Sequence, residues 1–280
     1  MMRRDKYVKY GYKVLKYLIL CGAAIVALYP IVWMVLGSFD RTTTELVSYP
    51  TLPISSFTLQ NYPEGFKTDS GFGRPLLNSV IVTGCQIVLA MVISSLAGFG
   101  FAKYRFRGRE PLFFAVIALT LLPIQMIVIP LFFVMKDLGW VNSYQALIMP
   151  TAVGALSVLI MRQFIAALPD ELIEAARVDG AGDFKIWYWL VLPLSAPALV
   201  TVGVLTGLGS WDNLIWPLVM VTSTSMRTMP LALSSLNSSF QAPLTWLMAI
   251  ATIMVLPPLI AFVASQGRLV RNIAIGSSFK

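Results

Sequence analysis

Long apolar stretches alternate with short polar segments along almost the whole chain. A helix needs about 20 residues to cross the hydrocarbon core of a bilayer, and six of the apolar stretches reach that length. The pattern therefore predicts an all-α polytopic membrane protein with six transmembrane helices. These spans are expected at about 17–37, 79–102, 111–135, 144–165, 194–219 and 246–266.

A polar segment, residues 169–193, separates the fourth span from the fifth and predicts two short helices that meet at a glycine. The first begins with a proline and two acidic residues, which favour a helix start because acids oppose the positive end of the helix dipole. Gly180 is expected to end this helix in the left-handed conformation, and Pro193 to end the second. Glu174 and Arg177 are three positions apart and can pair on one face. The simplest interpretation is a surface linker between two membrane helices.

Two of the predicted spans contain residues that are unusual at membrane depth. The second opens at Asn78, and its serines and glycines within 94–100 favour close packing against another helix. The third contains Pro123, Gln125 and Pro130, and prolines in a span predict a kink. Gln125 either bonds to a neighbouring helix or lines a cavity.

The end of the fifth span combines aromatic and polar residues. Trp211 and Trp216 are typical of the aromatic belt at a membrane interface. Asp212 lies between them, and an acid near the end of a span must be solvated or paired. We expect Asp212 either at the mouth of a cavity or at a solvated edge.

Composition excludes several kinds of chemistry. Of the 280 residues, 57% are hydrophobic and 12% charged, and none is histidine, so imidazole catalysis and histidine metal sites are absent. Cys21 and Cys85 both fall in apolar stretches, which favours inert small hydrophobes over a disulfide or a metal site. We predict no bound metal.

The distribution of positive charge predicts the orientation of the spans. Of the 21 Lys and Arg residues, sixteen fall on one side of the predicted topology. By the positive-inside rule that side is cytoplasmic. It holds the basic N-terminus (residues 1–16), the segment 169–193 and the tail at 271–280. This pattern explains the net charge of +8 without nucleic acid. The five on the other side are Arg41, Lys67, Arg74, Lys136 and Arg227.

The spacing within 169–193 resembles the EAA loop of ABC importer permeases, and we identify the segment with it. That loop runs EAA, three residues, G, nine residues, I, one residue, LP. The one departure is leucine for isoleucine, an apolar exchange of similar volume. The matching residues are Glu174, Ala175, Ala176, Gly180, Leu190, Leu192 and Pro193.

Three further motifs are similar to the maltose-type carbohydrate branch of these permeases. They are Asn78-Ser79 at the start of a span, the residues 106–109 after it, and Trp211-Asp212-Asn213. The branch usually has Asn before the acid in the last motif. Because the two are transposed here, the resemblance supports the position and no role for either side chain.

The resemblance implies a multisubunit importer in the cell membrane (plasma or inner membrane) of a prokaryote. This chain would be the smaller of two different permeases, with the core fold shared by methionine and molybdate importers, in residues 17–270. Its partners would be the second permease, two ATPase subunits and an extracytoplasmic sugar-binding protein. The chain has no G-x-x-x-x-G-K-S/T motif, so ATP and Mg would be used by the partner ATPase and no cofactor would bind here. The EAA residues would seat in that ATPase and couple its movements to alternating access.

The resemblance also indicates a use for the polar region at 221–244. It is either an ordinary surface loop or a loop that reaches into the binding protein and helps to release sugar. In the second case Asn237 and Gln241 would contact sugar hydroxyls, and Gln125, Asp212 and Asn213 are further candidates for the substrate path.

The implied substrate is a di- or oligosaccharide, and two classes of alternative remain open. Relatives in the same family carry glycerol phosphate esters or polyols. Outside the family, a membrane enzyme acting on lipid-linked sugars would need clustered acids, histidines or a metal site. A proton-coupled transporter would need ionisable groups in mid-span, and the predicted spans contain almost no ionisable groups.

Overall fold

The structure is a computed structural model that describes residues 2–41, 57–67, 71–238 and 243–277, with side chains in 12–41, 57–66, 71–236 and 243–264. In these ranges the chain is helical apart from turns and one isolated β-bridge, Asp40 to Phe57. The helices are α1 (Met2–Gly37), α2 (Asn61–Lys67), α3 (Gly73–Lys103), α4 (Arg109–Ala118), α5 (Ile124–Asp137), α6 (Tyr144–Ile148), α7 (Ala155–Ala166), α8 (Asp170–Val178), α9 (Asp183–Ile186), α10 (Leu192–Leu194), α11 (Ala196–Trp211), α12 (Ile215–Met220), α13 (Met229–Ser238) and α14 (Leu244–Ser277).

Three of these helices contain an unbroken stretch long and apolar enough to span a membrane: Tyr12–Gly37 in α1, α3, and Leu244–Ala264 in α14. Three bent pairs satisfy the same criteria, which allows up to six spans if each pair counts as one. The pairs are Arg109–Leu121 with Ile124–Asp137, bent by 105°, Tyr144–Thr151 with Ala155–Ala166, bent by 47°, and Asp183–Leu194 with Ala196–Trp211, bent by 79°.

The bend in the third predicted span occurs at Pro123. The ring of a proline clashes with a helical conformation of the residue before it, and Leu122 is accordingly extended, with ψ of 114°. Pro123 is also extended, and α5 begins one residue later. Pro130, by contrast, is accommodated inside α5. The kink predicted for this span is therefore confirmed, and it is concentrated at one of the two prolines.

The fifth predicted span, 194–219, is not one continuous helix. It bends at Ser195, after α10 has carried the helix through Pro193, and breaks again between Trp211 and Ile215. At the second break the Oδ1 atom of Asn213 accepts a hydrogen bond from the Trp216 backbone N–H (3.2 Å). A side-chain oxygen in this position satisfies an N–H group that the new helix leaves unpaired.

The two tryptophans at this break are buried, so their assignment to an interfacial belt is wrong. The Nε1 atom of Trp211 donates to the Met254 carbonyl (2.9 Å), and that of Trp216 donates to the Ala146 carbonyl (2.8 Å). Each indole therefore has a partner for its polar atom in an otherwise apolar setting. The break in the chain folds both rings into the protein.

The chain divides into two compact units, of which the first contains the described residues of 1–69 and 236–253. Here the Nδ2 atom of Asn61 donates to the carbonyls of Ser38 (2.9 Å) and Asp40 (2.7 Å). Gly65 lies close to Ile250, since a Cβ atom there would be 3.2 Å from the isoleucine Cδ1. The short helix α2 is thus fastened to the end of α1 by its first residue.

The second unit contains the described residues of 70–235 and 254–277 and is built around α3. The helix packs against α7 and α11. At Gly98 the α7 backbone comes so close that a Cβ atom would lie 2.7 Å from Met161 Cβ and 2.9 Å from the Arg162 backbone nitrogen. A glycine at the contact lets two backbones approach closely, which is a common way to pack helices in a membrane.

Helix α4 is joined to α7 by an ion pair. The Nη2 atom of Arg162 donates to both carboxylate oxygens of Glu110 (2.7 and 2.9 Å). The same guanidinium lies 3.8 Å from the centre of the Phe113 ring. The planar guanidinium therefore contacts a carboxylate and an aromatic face at once, which a lysine could not reproduce.

Candidate functional site

The segment 169–193 forms two helices that meet at Gly180, as the sequence predicts. Pro193 does not end the second one as expected, because the helix continues to Leu194. Helix α8 ends where the backbone N–H of Ala181 donates to the Ala176 carbonyl (2.9 Å) and that of Gly180 to the Arg177 carbonyl (3.0 Å). These two bonds form a Schellman motif. The motif requires a left-handed residue, and Gly180 has φ of +78°. The glycine sets the direction in which the chain leaves α8 toward α9.

Helix α8 has two distinct faces because its residues repeat every 3.6 positions. The packed face carries the buried Ile173, with Ala176 beside it. The open face, on the other side, is exposed to solvent and combines two acids with two small apolar residues. We define the open face as Glu171, Glu174, Ala175 and Val178.

The residues of the EAA motif therefore divide between two environments. Glu174 and Ala175 belong to the open face, and Gly180 and Pro193 are also exposed. Ala176, Leu190 and Leu192 are instead partly buried against the protein's own hydrophobic core. The motif thus both presents a surface and attaches that surface to the membrane helices.

That attachment passes through a single hydrophobic core. Ile173 of α8, Ile186 of α9 and Trp187 lie in the same cluster as Phe99 of α3 and Met161 of α7. The Nε1 atom of Trp187 also donates to the Ser95 hydroxyl in α3 (3.2 Å). Helix α8 therefore shares one packed core with α3 and α7.

The chain from Trp187 to Val191 is wound as a π-helix. The wider turn is marked by a bond from the Leu192 N–H to the Trp187 carbonyl, five residues back. Pro193 follows, and it has no N–H to offer an α-helical acceptor four residues earlier. Turns of this kind occur frequently at functional sites in helices.

The predicted pairing of Glu174 with Arg177 is wrong. The Nη2 atom of Arg177 instead donates to the Asp183 carboxylate (3.3 Å), across the turn at Gly180. The guanidinium also lies 5.6 Å from the centre of the Tyr104 ring. Burial, and next a hydrogen bond with Asp183, raise the pKa of Tyr104. Arg177 thus links α8, α9 and the end of α3, and Glu174 is left on the open face.

Lys103, the last residue of α3, fastens the start of α8. Its Nζ atom donates to the Leu168 carbonyl and to the Asp170 carboxylate, both at 2.5 Å. The hydrogen bond and then the charge of Lys103 lower the pKa of Asp170. The stabilisation from this ion pair is present at neutral pH and is lost as the pH falls through the lowered pKa, below the usual range of an aspartate.

A Lys103→Met variant is expected to loosen α8 without unfolding the membrane helices. The methionine keeps most of the apolar stem but cannot donate to Leu168 or Asp170. Amide hydrogen exchange within 168–178 should become severalfold faster, because local opening costs less free energy. Arg107→Met is the matched control, since Arg107 is exposed just beyond the same helix. Equal exchange rates in both variants would contradict the fastening role.

Sequence reasoning missed two apolar residues that extend the exposed surface around α8. The side chain of Val178 is 88% exposed, and that of Phe184 is 71% exposed. Large apolar residues so exposed outside the lipid-facing helices are candidates for protein contact. The sequence did contain a sign of this surface. Val178 follows Glu171 by seven positions, or two helical turns, so an apolar side chain lies on the same face as the acids.

The residues predicted for the binding path are not brought together. Gln125 is exposed in the first turn of α5, and Asp212 is exposed at the end of α11. Asn213 lines a cavity between α3, α7 and α11. Asn237 falls in α13, and Gln241 lies outside the described residues.

The polar region at 221–244 begins with a segment fixed by two asparagines. The Oδ1 atom of Asn142 accepts from the backbone N–H groups of Thr222 (3.1 Å) and Ser223 (3.0 Å). The Nδ2 atom of Asn78 donates to the carbonyls of Ser225 and Arg227, both at 2.8 Å. Asn78 lies in the second turn of α3, which starts at Gly73, so it does not open the span as predicted. It instead holds a neighbouring loop.

The chain is similar in sequence to a known protein family and to individual transport proteins. Residues 90–275 match the family described as binding-protein-dependent transport system inner membrane component. The arabinooligosaccharides transport system permease protein AraQ of Halalkalibacterium halodurans is 33% identical, over 90% of this chain and 91% of the relative. The lactose transport system permease protein LacG of Rhizobium radiobacter is 29% identical, over 92% and 94%.

A third relative has a different kind of substrate in its name. The sn-glycerol-3-phosphate transport system permease protein UgpE of Yersinia pestis is 35% identical, over 72% of this chain and 73% of the relative. All three relatives are therefore named as permease proteins of transport systems, but the substrates in their names differ.

The fold matches solved transporter structures. A chain of a bacterial ABC transporter involved in the import of the acidic polysaccharide alginate superposes with a TM-score of 0.79 at 22% identity, covering 91% of this chain and 95% of that one. A chain of the alginate transporter in complex with a pentasaccharide-bound periplasmic protein gives a TM-score of 0.62 at 13% identity, covering 94% and 97%. The predicted all-α permease fold is confirmed. The chain belongs to the family of inner membrane components of binding-protein-dependent transport systems, the permeases of ABC transporters.

Proposed function

We propose that this chain is one of two different permease subunits of an ATP-driven importer for a di- or oligosaccharide. A second permease, two ATPase subunits and an extracytoplasmic binding protein complete the complex. ATP and Mg are bound by the ATPases, since the chain has no P-loop sequence of its own. The two carbohydrate permeases that are similar along nine tenths of the chain support the substrate class.

The observation that carries the proposal is the construction of α8. Its open face presents Glu174, Ala175 and Val178 to solvent, while Ile173 on the packed face belongs to the core formed with α3 and α7. A surface helix with only a linker role has no need for an exposed valine on the same face as two acids. A groove on the ATPase with basic rims and an apolar floor would suit this face.

In the proposed mechanism α8 moves as a rigid lever. Closure of the two ATPases displaces α8, and the shared core carries the displacement to α3 and α7 because packed interiors transmit strain rather than absorb it. The cytoplasmic side then closes and the opposite side opens. Orientation follows the positive-inside rule, with both termini and the segment 169–193 in the cytoplasm.

The experiment is purification of the tagged chain in mild detergent, with its genomic neighbours co-expressed, followed by mass spectrometry. We expect a Walker-type ATPase and a second permease in stoichiometric amounts. Val178→Asp should reduce ATPase recovery at least tenfold while retaining the second permease, because a charge would enter an apolar contact at a cost of about 2 kcal/mol or more. Leu138→Asp is the control, since Leu138 is a half-exposed apolar residue on the predicted opposite side.

Two results would contradict the proposal. One is recovery of the chain alone under conditions that keep known importers intact, which would return attention to a membrane enzyme. The other is full ATPase recovery with Val178→Asp, which would place the ATPase contact away from the open face.

A further inference from the structure

We infer that this permease carries its own subsite for an uncharged polyhydroxyl group, in a cavity between α3, α7 and α11. Its lining combines polar side chains with apolar surface, and we call it the polar cavity. The inference rests on the proposed transport function and specifies its substrate class. The cavity has a volume of about 220 Å³. Six of its lining residues have uncharged polar side chains: Gln86, Thr151, Ser157, Thr206, Ser210 and Asn213.

The cavity lies at membrane depth. Gln86 is thirteen residues from the first residue of α3 and seventeen from the last, which places it about 20 Å from one end and 26 Å from the other at 1.5 Å per residue. Polar groups at that depth are costly unless they are paired or line a wet cavity. Gln86, Thr151, Ser210 and Asn213 each have a hydrogen-bond partner within the protein. All six nevertheless line the same cavity, where a ligand could also reach them.

The backbone around the cavity is broken in two places. Thr151 ends a short 3₁₀ turn and α7 starts after Gly154, so the wall includes the 47° bend of this pair. Asn213 lies in the gap between α11 and α12. Discontinuous helices at the midplane are a recurring way to build substrate sites in transporters.

The polar side chains are held in place by the fold. The Nε2 atom of Gln86 donates to the Leu147 carbonyl and to the Thr151 hydroxyl, both at 2.9 Å. The Oδ1 atom of Asn213 accepts from the Trp216 backbone, which fixes the orientation of the amide that carries Nδ2. Groups that are already oriented lose little entropy when a ligand binds.

The chemistry of the lining selects the ligand. Hydroxyl and amide groups both donate and accept hydrogen bonds, as sugar hydroxyls do. None of the described residues that line the cavity is Lys or Arg, whereas recognition of phosphate or carboxylate relies on such cations. The subsite thus fits a neutral sugar and not glycerol phosphate or an acidic polysaccharide.

A second cavity in the same unit shows that polarity is not general at this depth. It has a volume of about 430 Å³ and lies between α3, α11 and the later part of α14, with Thr83 as its one hydroxyl-bearing residue among those described. Polar lining is therefore confined to the cavity that Thr206 and Asn213 line, and the neighbouring cavity lacks it.

The test uses the complete transporter in nanodiscs with saturating binding protein. ATP hydrolysis is measured with arabinotriose, lactose and diacetylchitobiose as neutral probes, and with glycerol 3-phosphate and an alginate trimer as anionic probes. We expect at least one neutral probe to stimulate hydrolysis and the anionic probes to leave it unchanged. Stimulation by anionic probes alone, or by none of the five, would overturn the inference.

Thr206→Val then tests the cavity itself, since it removes one hydroxyl and keeps the shape. Transport of the stimulating sugar should fall about fivefold, the change expected for one neutral hydrogen bond, and Thr206→Ser should restore it. Thr201→Val, on the same helix but outside the cavity, should transport normally. Equal rates for the two valine variants would reject the subsite, while an intact, ATP-hydrolysing complex would leave the proposed transport function standing.

Discussion

Gly98→Val is expected to abolish accumulation of the folded permease. A Cβ atom at this position would lie 2.7 Å from Met161 Cβ and 2.9 Å from both the Met161 carbonyl carbon and the Arg162 nitrogen. Two of these three atoms belong to the α7 backbone, so no side-chain rotation can relieve the contact. Overpacking typically costs about 1–3 kcal/mol even when side chains adjust, and here α3 and α7 would have to separate.

Separation of α3 from α7 would also damage the attachment of α8. The cluster that contains Met161 includes Ile173 and Trp187, so a shift at Gly98 reaches the segment 169–193. The measurement is the amount of monodisperse permease after detergent extraction, together with its thermal unfolding midpoint.

Gly100→Val supplies the matched control for this packing contact. It places the same side chain two residues further along α3, where a Cβ atom meets nothing within 4 Å. The control should accumulate normally. Similar loss in both variants would mean that valine disturbs α3 itself rather than its contact with α7.

Gly180→Val is expected to reduce sugar uptake more than tenfold while the protein still inserts and assembles. The backbone at Gly180 has φ of +78°, a conformation that is a genuine outlier for a β-branched residue and costs about 1–2 kcal/mol for an ordinary one. There is space for the side chain, since nothing lies within 4 Å of the added Cβ. The strain is therefore in the backbone, and the chain relieves it by changing the angle between α8 and α9.

The readout separates coupling from folding. In the purified complex we expect ATP hydrolysis to continue while transport is lost. The open face still binds the ATPase, but with a changed angle between α8 and α9 its movement no longer reaches the membrane helices. Gly182→Val is the control, since Gly182 is equally open but has an ordinary φ of −70°. Gly180→Asn should retain most uptake, because asparagine tolerates the left-handed conformation. Normal uptake in Gly180→Val would exclude a coupling role for this angle.

The elements of the fold were largely predictable because each depends on local sequence. Apolar stretches of membrane length and the acids, glycine and proline of 169–193 act on their own neighbourhood, so helices α8 and α9 and the turn at Gly180 could be predicted without knowledge of the fold. The division of the EAA motif between exposed and partly buried residues could not be predicted in this way. Whether Ala175 or Ala176 is exposed depends on which side of α8 meets α3 and α7.

The binding path was the least predictable part. Polarity inside the third span suggested Gln125 and polarity near the end of the fifth suggested Asp212, yet both are exposed. The cavity is instead lined by Gln86, Thr206 and other residues that each look like an isolated polar residue inside an apolar stretch. Gln86 and Thr206 are more than a hundred positions apart in the sequence, and only packing brings them to one cavity. The prediction that Trp211 and Trp216 belong to an interfacial belt was wrong for the same reason, since both rings are buried at a break in the helix.

The sequence by itself determined that the chain is helical, that it enters a membrane, and that it carries an EAA segment with a glycine turn. Hydrophobic length and backbone preference decide these features over a few helical turns. Tertiary structure alone decided that Gly98 and not Gly100 meets another backbone, that Arg177 pairs with Asp183, and which polar residues share a cavity. These outcomes depend on distances between helices remote in sequence, which no local pattern encodes.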